Sequence, residues 1–372
     1  MVWRSEAMDN RGFGDKVNQV LAEDFDSIAH SDLPWEAFRG CSFVVTGATG
    51  LVGSLLVRAL LYGDKVHDLG LKVYALVRNV EKANRIYGVD APEYIVADLA
   101  TDEISGDFGC DYVIHAAAVT TSKLMVSDPV GTIRTAIDGT EKMLKLAVEK
   151  KAKSFVYISS MEVYGQPKTD GKTAEKDLGY IDINTVRSCY PEGKRMCECL
   201  CNAYAAQYGL DVKSARLAQT FGAGILPTEN RVFAQFARSA VKGDDIVLHT
   251  TGESEGNYVY TADAVRAILM LLEKGESGEA YNIANEESHT TIRDMAQLVA
   301  EQIAGGAIKV VLDIPEDASS LGYAPPVKMW LDASKMRALG WQPTVGLADA
   351  YRRMISYMDD QAKWSSVLEA RN

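Results

Sequence analysis

The hydrophobic pattern of residues 41 to 160 consists of short apolar runs separated by segments of helical length. The apolar runs, in chain order, are "CSFVVT", "KVYALV", "EYIVA", "DYVIHA" and "SFVYIS". Intervening segments such as "LVGSLLVRALL" and "TIRTAIDGTEKMLKLAVEK" are long enough for helices. Continuous apolar runs indicate strands buried on both faces, as in parallel sheets whose strands are joined by helices. The pattern therefore predicts an α/β fold built on a doubly wound parallel sheet, the Rossmann architecture.

The segments before and after residues 41–160 have a different sequence pattern. Residues 1 to 39 precede the first predicted strand, and "DKVNQVLAEDFDSI" within them has helical periodicity with acidic residues on its outer face. We interpret residues 1–39 as an N-terminal helical extension. From about residue 220 the chain is looser and richer in turns. We therefore predict a Rossmann domain over residues 40–215 and a smaller α/β lobe over 216–372, parts of which return to the main sheet.

Composition and charge narrow the class of partner. The 51 acidic residues outnumber the 39 basic ones and give a formal net charge of −12 at pH 7, which repels nucleic acid and anionic membranes. No apolar run approaches the roughly 20 residues that span a bilayer, and the first residues lack the apolar core of a signal peptide. We expect a cytoplasmic protein that binds neither nucleic acid nor membrane.

Three of the six cysteines, Cys197, Cys199 and Cys201, lie close together in a segment of helical pattern. On a helix, Cys199 would face away from the other two, and the segment contains no histidine. We therefore predict no metal site.

The first predicted strand leads into a glycine-rich turn and a helix, "CSFVVTGATGLVGSLLVRALL". Gly47 would allow the tight turn, Gly50 a close approach of a pyrophosphate, and Gly53 close packing of helix and strand. The alternative is a glycine-rich packing turn without a ligand. Because the glycines follow the first strand of a strand-helix-strand unit, we predict a dinucleotide cofactor. The residues expected to line its site are Gly47, Thr49, Gly50, Leu51, Val52, Gly53, Arg78, Asp98, Leu99, Ala116, Ala117, Ala118, Tyr190 and Lys194.

The end of the second strand bears on the choice between NAD and NADP. Val77 occupies the position where proteins that prefer NAD usually carry an acid for the ribose 2′-hydroxyl, and Arg78 follows it. Arg78 can hold a 2′-phosphate, which slightly favours NADP, or it can lie against the adenine or point to solvent. Asp98 is placed to accept a hydrogen bond from the adenine amine. His115 is interpreted as a packed residue at a strand end and not as a proton carrier.

A tyrosine and a lysine one helical turn apart are the candidate reacting groups. In "YPEGK", the Lys194 ammonium would lie near the Tyr190 phenol and lower its pKa toward neutrality, making a base available. Tyr164 and Lys168 have the same spacing, but a glycine and a proline between them interrupt the helix. Ser160 ends the fifth predicted strand, so its hydroxyl can converge with the Tyr190 phenol at the carboxyl edge of the sheet.

From residue 41 to about 360, the chain resembles the extended short-chain dehydrogenase/reductases, in particular the NAD-dependent epimerase/dehydratase family that acts on nucleotide sugars. The resemblance rests on "TGATGLVG", "SSMEVYG", "YPEGK", "RLAQTFGAG", "YVYTADAV" and "LDASKMRALGWQPTVGLADAYRRM". It implies that Ser160 orients the substrate, Tyr190 is the base and Lys194 its activator. It also implies NAD as the cofactor and a nucleotide sugar as the substrate, and we expect a homodimer.

Glu162, just before "VYG", points to particular members of this family. Nucleotide-sugar 4,6-dehydratases and UDP-glucuronate decarboxylases are similar to this chain in carrying a glutamate there. Oxidation at sugar C4 makes the neighbouring C5–H acidic, and a carboxylate can then take that proton. The alternative is a glutamate paired with a nearby lysine. Met161 departs from the pattern of dTDP-glucose dehydratases, whose aspartate at this position protonates the leaving hydroxyl.

Other departures bear on the substrate. Gly256 replaces an arginine that in the family binds the diphosphate or assists decarboxylation, and Ala136 replaces the asparagine of an N-x-x-G-T segment. Arg231 is the nearest remaining cation for a phosphate, and Gln219 replaces the usual asparagine of R-x-x-N. The expected substrate-binding residues are Thr120, Ser160, Gln219 and Arg231.

The resemblance therefore implies an NAD(P)-dependent nucleotide-sugar epimerase or dehydratase that transiently oxidises C4, with Glu162 acting at C5. One alternative in the same fold is a ketone reductase that consumes free NADPH. Another is a UDP-glucuronate decarboxylase, ranked below dehydration and epimerisation because of Gly256. An alternative of a different class is a non-catalytic, dinucleotide-sensing protein.

Overall fold

A seven-stranded parallel sheet forms the centre of the molecule in a computed structural model that describes residues 18–167, 171–226, 229–314 and 327–369. Its strands in chain order are β1 (Ser42–Thr46), β2 (Lys72–Val77), β3 (Glu93–Val96), β4 (Tyr112–His115), β5 (Ser154–Ser160), β6 (Val212–Leu217) and β10 (Glu279–Ile283). They lie side by side in the order β10-β6-β5-β4-β1-β2-β3, and every pairing is parallel. The five strands predicted from the apolar runs and the doubly wound parallel sheet are confirmed.

Helices cover both faces of this sheet, because alternate side chains of each strand point to opposite faces. Phe43 and Val45 of β1 enter one apolar core, while Val44 between them enters the other. The helices that follow β1 to β5 in the chain are α2 (Leu51–His67), α3 (Val80–Tyr87), α4 (Ser122–Ser127), α5 (Pro129–Glu149) and α6 (Cys189–Tyr208). Cys197 and Cys201 of α6 are buried and Cys199 is exposed, as predicted for a helix.

The N-terminal extension contains a helix, α1 (Gln19–Ala29), as its periodicity predicted. The side chain of Asn18 caps it by accepting a hydrogen bond from the Val20 N–H at 2.9 Å. Its buried face includes Asp24, which accepts hydrogen bonds from Tyr260 Oη at 2.7 Å and Arg353 Nη2 at 2.8 Å. The part of the extension before residue 18 lies outside the described residues.

The second half of the chain adds two small sheets and further helices. Strands β7 (Gln219–Phe221), β9 (Glu255–Tyr260) and β11 (Asn285–Thr291) form one sheet, and β8 (Ile246–Leu248) pairs with β12 (Val310–Leu312) in another. The remaining helices are α7 (Val232–Lys242), α8 (Thr261–Lys274), α9 (Ile292–Leu298), α10 (Ser334–Ala338) and α11 (Leu347–Glu369). Strand β10 returns to the main sheet beside β6, as expected for part of this region, whereas the domain boundaries themselves stay a prediction.

Across the described ranges, no helix combines the length and the apolar character needed to cross a membrane.

Candidate active site

A cavity of about 730 Å³ opens along the carboxyl ends of the central strands. Crevices at this edge are where open α/β sheets bind ligands. All the residues assigned above to cofactor, substrate and chemistry line this cavity, namely Gly47, Thr49, Gly50, Leu51, Val52, Gly53, Arg78, Asp98, Leu99, Ala116, Ala117, Ala118, Thr120, Ser160, Glu162, Tyr190, Lys194, Gln219 and Arg231. The sequence therefore identified residues that the fold brings together, and their individual roles stay predictions.

The glycine turn is packed too tightly for side chains. Gly47 has φ +62°, and a Cβ there would lie 2.6 Å from the Ala116 carbonyl oxygen; a Cβ on Gly53 would lie 2.3 Å from the Gly47 oxygen. Gly50 is the N-cap of α2 and gives the helix no side-chain cap, so backbone N–H groups of the first turn remain free at the cavity. A helix N-terminus with free N–H groups suits a pyrophosphate, so these residues fit a dinucleotide.

His115 holds the loop on the other side of this turn. Its Nδ1 lies 2.7 Å from Thr46 Oγ1, and its Nε2 lies 3.2 Å from Thr140 Oγ1. Thr46 Oγ1 also accepts the N–H of Ala117 at 3.0 Å. Burial, followed by the nearby Lys194 charge, lowers the pKa of His115 to about 3. The interpretation of His115 as a packed residue is confirmed.

Arg78 and Asp98 meet at the far end of the cavity. Their side chains form an ion pair at 3.5 Å, and Arg78 is 73% exposed. Asp98 Oδ1 also accepts the N–H of Ala100 at 3.0 Å. The sequence pattern did not predict that these two residues pair. The pair places a carboxylate beside the arginine that was expected to receive a 2′-phosphate.

The candidate reacting groups lie at the opposite end of the cavity, where α6 begins beside β5. Tyr190 stands in the first turn of α6 and Lys194 one turn later, as predicted. The Lys194 ammonium is buried and donates a hydrogen bond to the Ile158 carbonyl at 2.7 Å. It lies 4.7 Å from the ring centroid of Tyr157 and 5.9 Å from that of Tyr190. Burial lowers the pKa of Lys194 to about 8.

The expectation that Lys194 lowers the pKa of Tyr190 is not met. Burial, followed by the nearby Glu162 carboxylate, raises the pKa of Tyr190 to about 12. A hydrogen bond with Ser160 is the largest influence that lowers it, followed by the charges of Arg187 and Arg231. Burial outweighs these lowering influences, and the Lys194 ammonium is itself hydrogen-bonded to a strand carbonyl.

Glu162 is paired with an arginine that the sequence analysis missed. Arg187 Nη2 lies 3.0 Å from both carboxylate oxygens of Glu162, and the guanidinium carbon lies 5.5 Å from the Tyr190 ring centroid. The alternative interpretation anticipated a lysine as the partner. Arg187 lies in a short 3-10 helix, Val186–Ser188, just before α6. Its place three residues before Tyr190 is the one signal that could have drawn attention to it.

Tyr164, whose match to the spacing of Tyr190 and Lys194 was set aside, has a structural role. Tyr164 is buried, donates to Asn282 Oδ1 at 2.6 Å and receives a hydrogen bond from Arg216 Nη1 at 3.0 Å. Lys168, its partner in the second match, lies outside the described residues.

At the expected substrate end of the cavity, Arg231 donates to both oxygens of Glu229, at 3.0 and 2.7 Å. The cation expected to grip a phosphate therefore already holds a carboxylate.

Comparisons with known proteins agree with this geometry. Residues 43–284 match the model of the NAD dependent epimerase/dehydratase family. UDP-glucuronic acid decarboxylase 6 of Arabidopsis thaliana is 30% identical over 308 residues, which cover 82% of this chain and 85% of that protein. A UDP-glucuronic acid decarboxylase 1 of Xenopus tropicalis is 28% identical over 317 residues, covering 84% and 71%.

Solved structures share the fold. The UDP-glucose 4-epimerase of Thermotoga maritima superposes with a TM-score of 0.72 at 25% identity, covering 86% of this chain and 99% of that one. The UDP-glucuronic acid 4-epimerase of Bacillus cereus, solved with UDP-glucuronic acid and NAD, gives a TM-score of 0.70 at 22% identity, with coverage of 86% and 99%. From its glycine turn, its sheet and these matches, the chain belongs to the NAD-dependent epimerase/dehydratase family.

Proposed function

We propose that this protein uses NAD to oxidise C4 of a UDP-linked hexuronic acid and then removes the C6 carboxylate as carbon dioxide, as a UDP-glucuronate decarboxylase. The observation that carries the proposal is the gathering of Ser160, Glu162 and Tyr190 at one end of a cavity whose other end is the glycine turn. The names of the relatives that match over most of the chain support the decarboxylase over the dehydratase and epimerase that the sequence alone favoured.

The first step needs a base at the C4 hydroxyl. Tyr190 is the candidate, and its hydrogen bond with Ser160 orients the phenol toward the cavity. When bound, NAD supplies the acceptor for the hydride from C4 and returns it at the end of the reaction. A pKa of about 12 makes the phenolate scarce at neutral pH, so the tyrosine needs added positive charge during turnover. Buried Lys194, one turn along α6 and with its ammonium 5.9 Å from the Tyr190 ring centroid, is the candidate source of that charge once the ammonium turns from the Ile158 carbonyl.

The second step is made possible by the C4 ketone. The C6 carboxylate is attached to C5, the carbon next to the C4 ketone. It leaves readily as carbon dioxide, because the electron pair left at C5 is delocalised into the C4 carbonyl. C5 must then take up a proton before the ketone is reduced again. Glu162 stands beside Ser160 and Tyr190 at the cavity surface and is our candidate to take a proton from solvent water and pass it to C5.

The experiment is to incubate the protein with UDP-glucuronate and NAD, trap carbon dioxide and identify the nucleotide product by mass spectrometry. We expect one carbon dioxide for each UDP-pentose formed. Tyr190→Phe serves as the inactive control because it keeps the ring and removes the phenol. A product of unchanged mass, or one that has lost water, would refute decarboxylation.

A second candidate is epimerisation or dehydration of a neutral nucleotide sugar, and one observation favours it. The chain has Gly256 where the resemblance implies an arginine, and a Cβ there would meet no atom of the described residues within 4 Å outside its chain neighbours, so packing does not require a glycine at this position. UDP-glucose and dTDP-glucose assayed in parallel separate this candidate from the first. The ketone reductase that uses free NADPH receives less support, since Arg78 is paired with Asp98.

A further inference from the structure

Arg187 is a cationic residue at the catalytic end of the cavity, the end that holds Ser160, Glu162 and Tyr190, and the mechanism above does not use it. Its side chain lines the cavity and keeps 37% of its surface exposed. One nitrogen, Nη2, serves both oxygens of Glu162. The other terminal nitrogen, Nη1, is shielded from solvent and has no hydrogen-bond partner among the described residues. A buried donor without a partner is costly, and such atoms at a ligand site indicate that a partner arrives with the ligand.

The charges around the catalytic end indicate what kind of ligand group this is. Lys194 is buried and bonded to the Ile158 carbonyl, and Arg231 holds Glu229 with two nitrogens. Among the described cavity-lining cations at this end, Arg187 is therefore the one that retains an unused buried donor. A planar guanidinium offers donors on two edges and can bind two carboxylates at once.

We propose that Arg187 binds the C6 carboxylate of the uronic acid and so selects uronic acids over neutral sugars. This inference rests on the function proposed above. Without a shared cation, the substrate carboxylate would lie beside the Glu162 carboxylate, and the two negative charges would repel each other. Arg187 neutralises both when its free edge faces the sugar and its Nη2 edge keeps Glu162. Its place over the Tyr190 ring puts this charge next to the base that acts at C4.

The test compares three ligands on the wild type and on Arg187→Gln by calorimetry in the presence of NAD at a temperature where turnover is negligible. The ligands are UDP-glucuronate, UDP-glucose and UDP. We expect Arg187→Gln to weaken UDP-glucuronate by at least about tenfold, the scale of a lost charge-assisted hydrogen bond. UDP-glucose and UDP should change by less than about threefold, because neither carries a C6 carboxylate.

Two further variants guard the interpretation. Arg187→Lys keeps the positive charge but loses the planar set of donors on two edges. Its preference for UDP-glucuronate should therefore fall between those of the wild type and the glutamine variant. Arg352→Gln removes an arginine that is 53% exposed on α11 and pairs with Asp349, and it should behave as the wild type. Unchanged UDP affinity also reports that the variants are folded.

The outcomes separate this inference from the proposed function. Equal weakening of all three ligands would mean that Arg187 contacts the diphosphate, and an undiminished preference for UDP-glucuronate would mean that another group binds the carboxylate; either result overturns the role of Arg187 and leaves the decarboxylase proposal standing. A wild type that binds UDP and does not prefer UDP-glucuronate to UDP-glucose would overturn both.

Discussion

Nδ1 of His115, the last residue of β4, lies 2.7 Å from Oγ1 of Thr46, the last residue of the neighbouring strand β1. Because Thr46 Oγ1 also accepts the Ala117 N–H, the pair fixes the loop that packs against Gly47. The histidine must stay neutral for this arrangement, since its ring is buried near the Lys194 ammonium. A buried histidine thus holds two of the loops that form the cavity.

The first prediction follows from the lowered pKa of His115. Between the ordinary value of about 6.5 and the folded value of about 3, the unfolded chain binds a proton that the folded chain does not. The stabilisation from neutral His115 is therefore complete above pH 6.5 and is lost as the pH falls, by at most about 1.4 kcal/mol per pH unit. Urea unfolding as a function of pH measures it.

The variant His115→Phe should show a shallower loss of stability in acid than the wild type. His30→Gln, which removes an exposed histidine, should keep the wild-type slope. If His115→Phe and the wild type lose stability in parallel, His115 titrates normally and its pKa is not lowered.

A second prediction concerns Tyr190. Tyr190→Phe should lower turnover by at least ~100-fold, the scale of a lost general base, because the proposed mechanism passes the C4 hydroxyl proton to this phenol. Dinucleotide affinity should be almost unchanged. Steady-state kinetics and NAD titration measure the two effects. A variant that retains a near-normal rate would remove Tyr190 from its proposed role.

The third prediction concerns Glu162 and is measured in heavy water. The wild-type product of UDP-glucuronate should carry one solvent deuterium at C5, because the carboxylate leaves from that carbon. Glu162→Gln keeps the shape of the side chain but cannot carry a proton to C5, so the ketone should wait for protonation, reduced nicotinamide should accumulate and product should form at least ~100-fold more slowly. Nuclear magnetic resonance of the product and absorbance of the cofactor give the two readouts.

The matched control for this experiment is Glu141→Gln, which removes a carboxylate paired with Lys145 on the outer surface of α5. Glu141→Gln should incorporate deuterium at C5 and turn over substrate like the wild type. Normal deuterium incorporation at the normal rate in Glu162→Gln would show that another group or water protonates C5.

A fourth prediction concerns the cofactor. If Arg78 holds a 2′-phosphate, Arg78→Ala should weaken NADP by about 10- to 100-fold, the loss of a charge-assisted hydrogen bond, and spare NAD. Lys82 lines the same end of the cavity, so Lys82→Ala tests whether a second cation contributes. Equal losses for NAD and NADP in Arg78→Ala would mean that the arginine only covers the adenine. Fluorescence titration with both dinucleotides decides between these results.

The sheet and the glycine turn could be predicted because both depend on local sequence. Apolar runs such as that of β5 have no polar face, so they indicate strands buried on both sides. Gly47, Gly50 and Gly53 occur at a spacing that follows directly from the geometry of a strand, a turn and a helix. The spacing of Tyr190 and Lys194 likewise predicted that they share a helix face.

Side-chain partners were harder to predict because they depend on elements distant in sequence. Lys194 lies near Tyr190 along α6, yet its ammonium turns to the Ile158 carbonyl of β5, a competitor that helical spacing does not reveal. Glu162 pairs with Arg187, 25 residues away, and both stand in short 3-10 helices that have no periodicity to read. Such pairs become visible only when the ends of β5 and α6 are brought together.

The contact between α1 and α11 sets a condition on how the chain is made. Asp24 and Arg353 are 329 residues apart in sequence, and their side chains meet at 2.8 Å. At a synthesis rate of about 5 to 20 residues per second, Arg353 is added roughly 16 to 66 seconds after Asp24. During that interval the buried face of α1, with Phe25 and Ile28, lacks its final neighbours on α11. We therefore expect the part of the α1 face that meets α11 to stay uncovered until the last helix packs against the first.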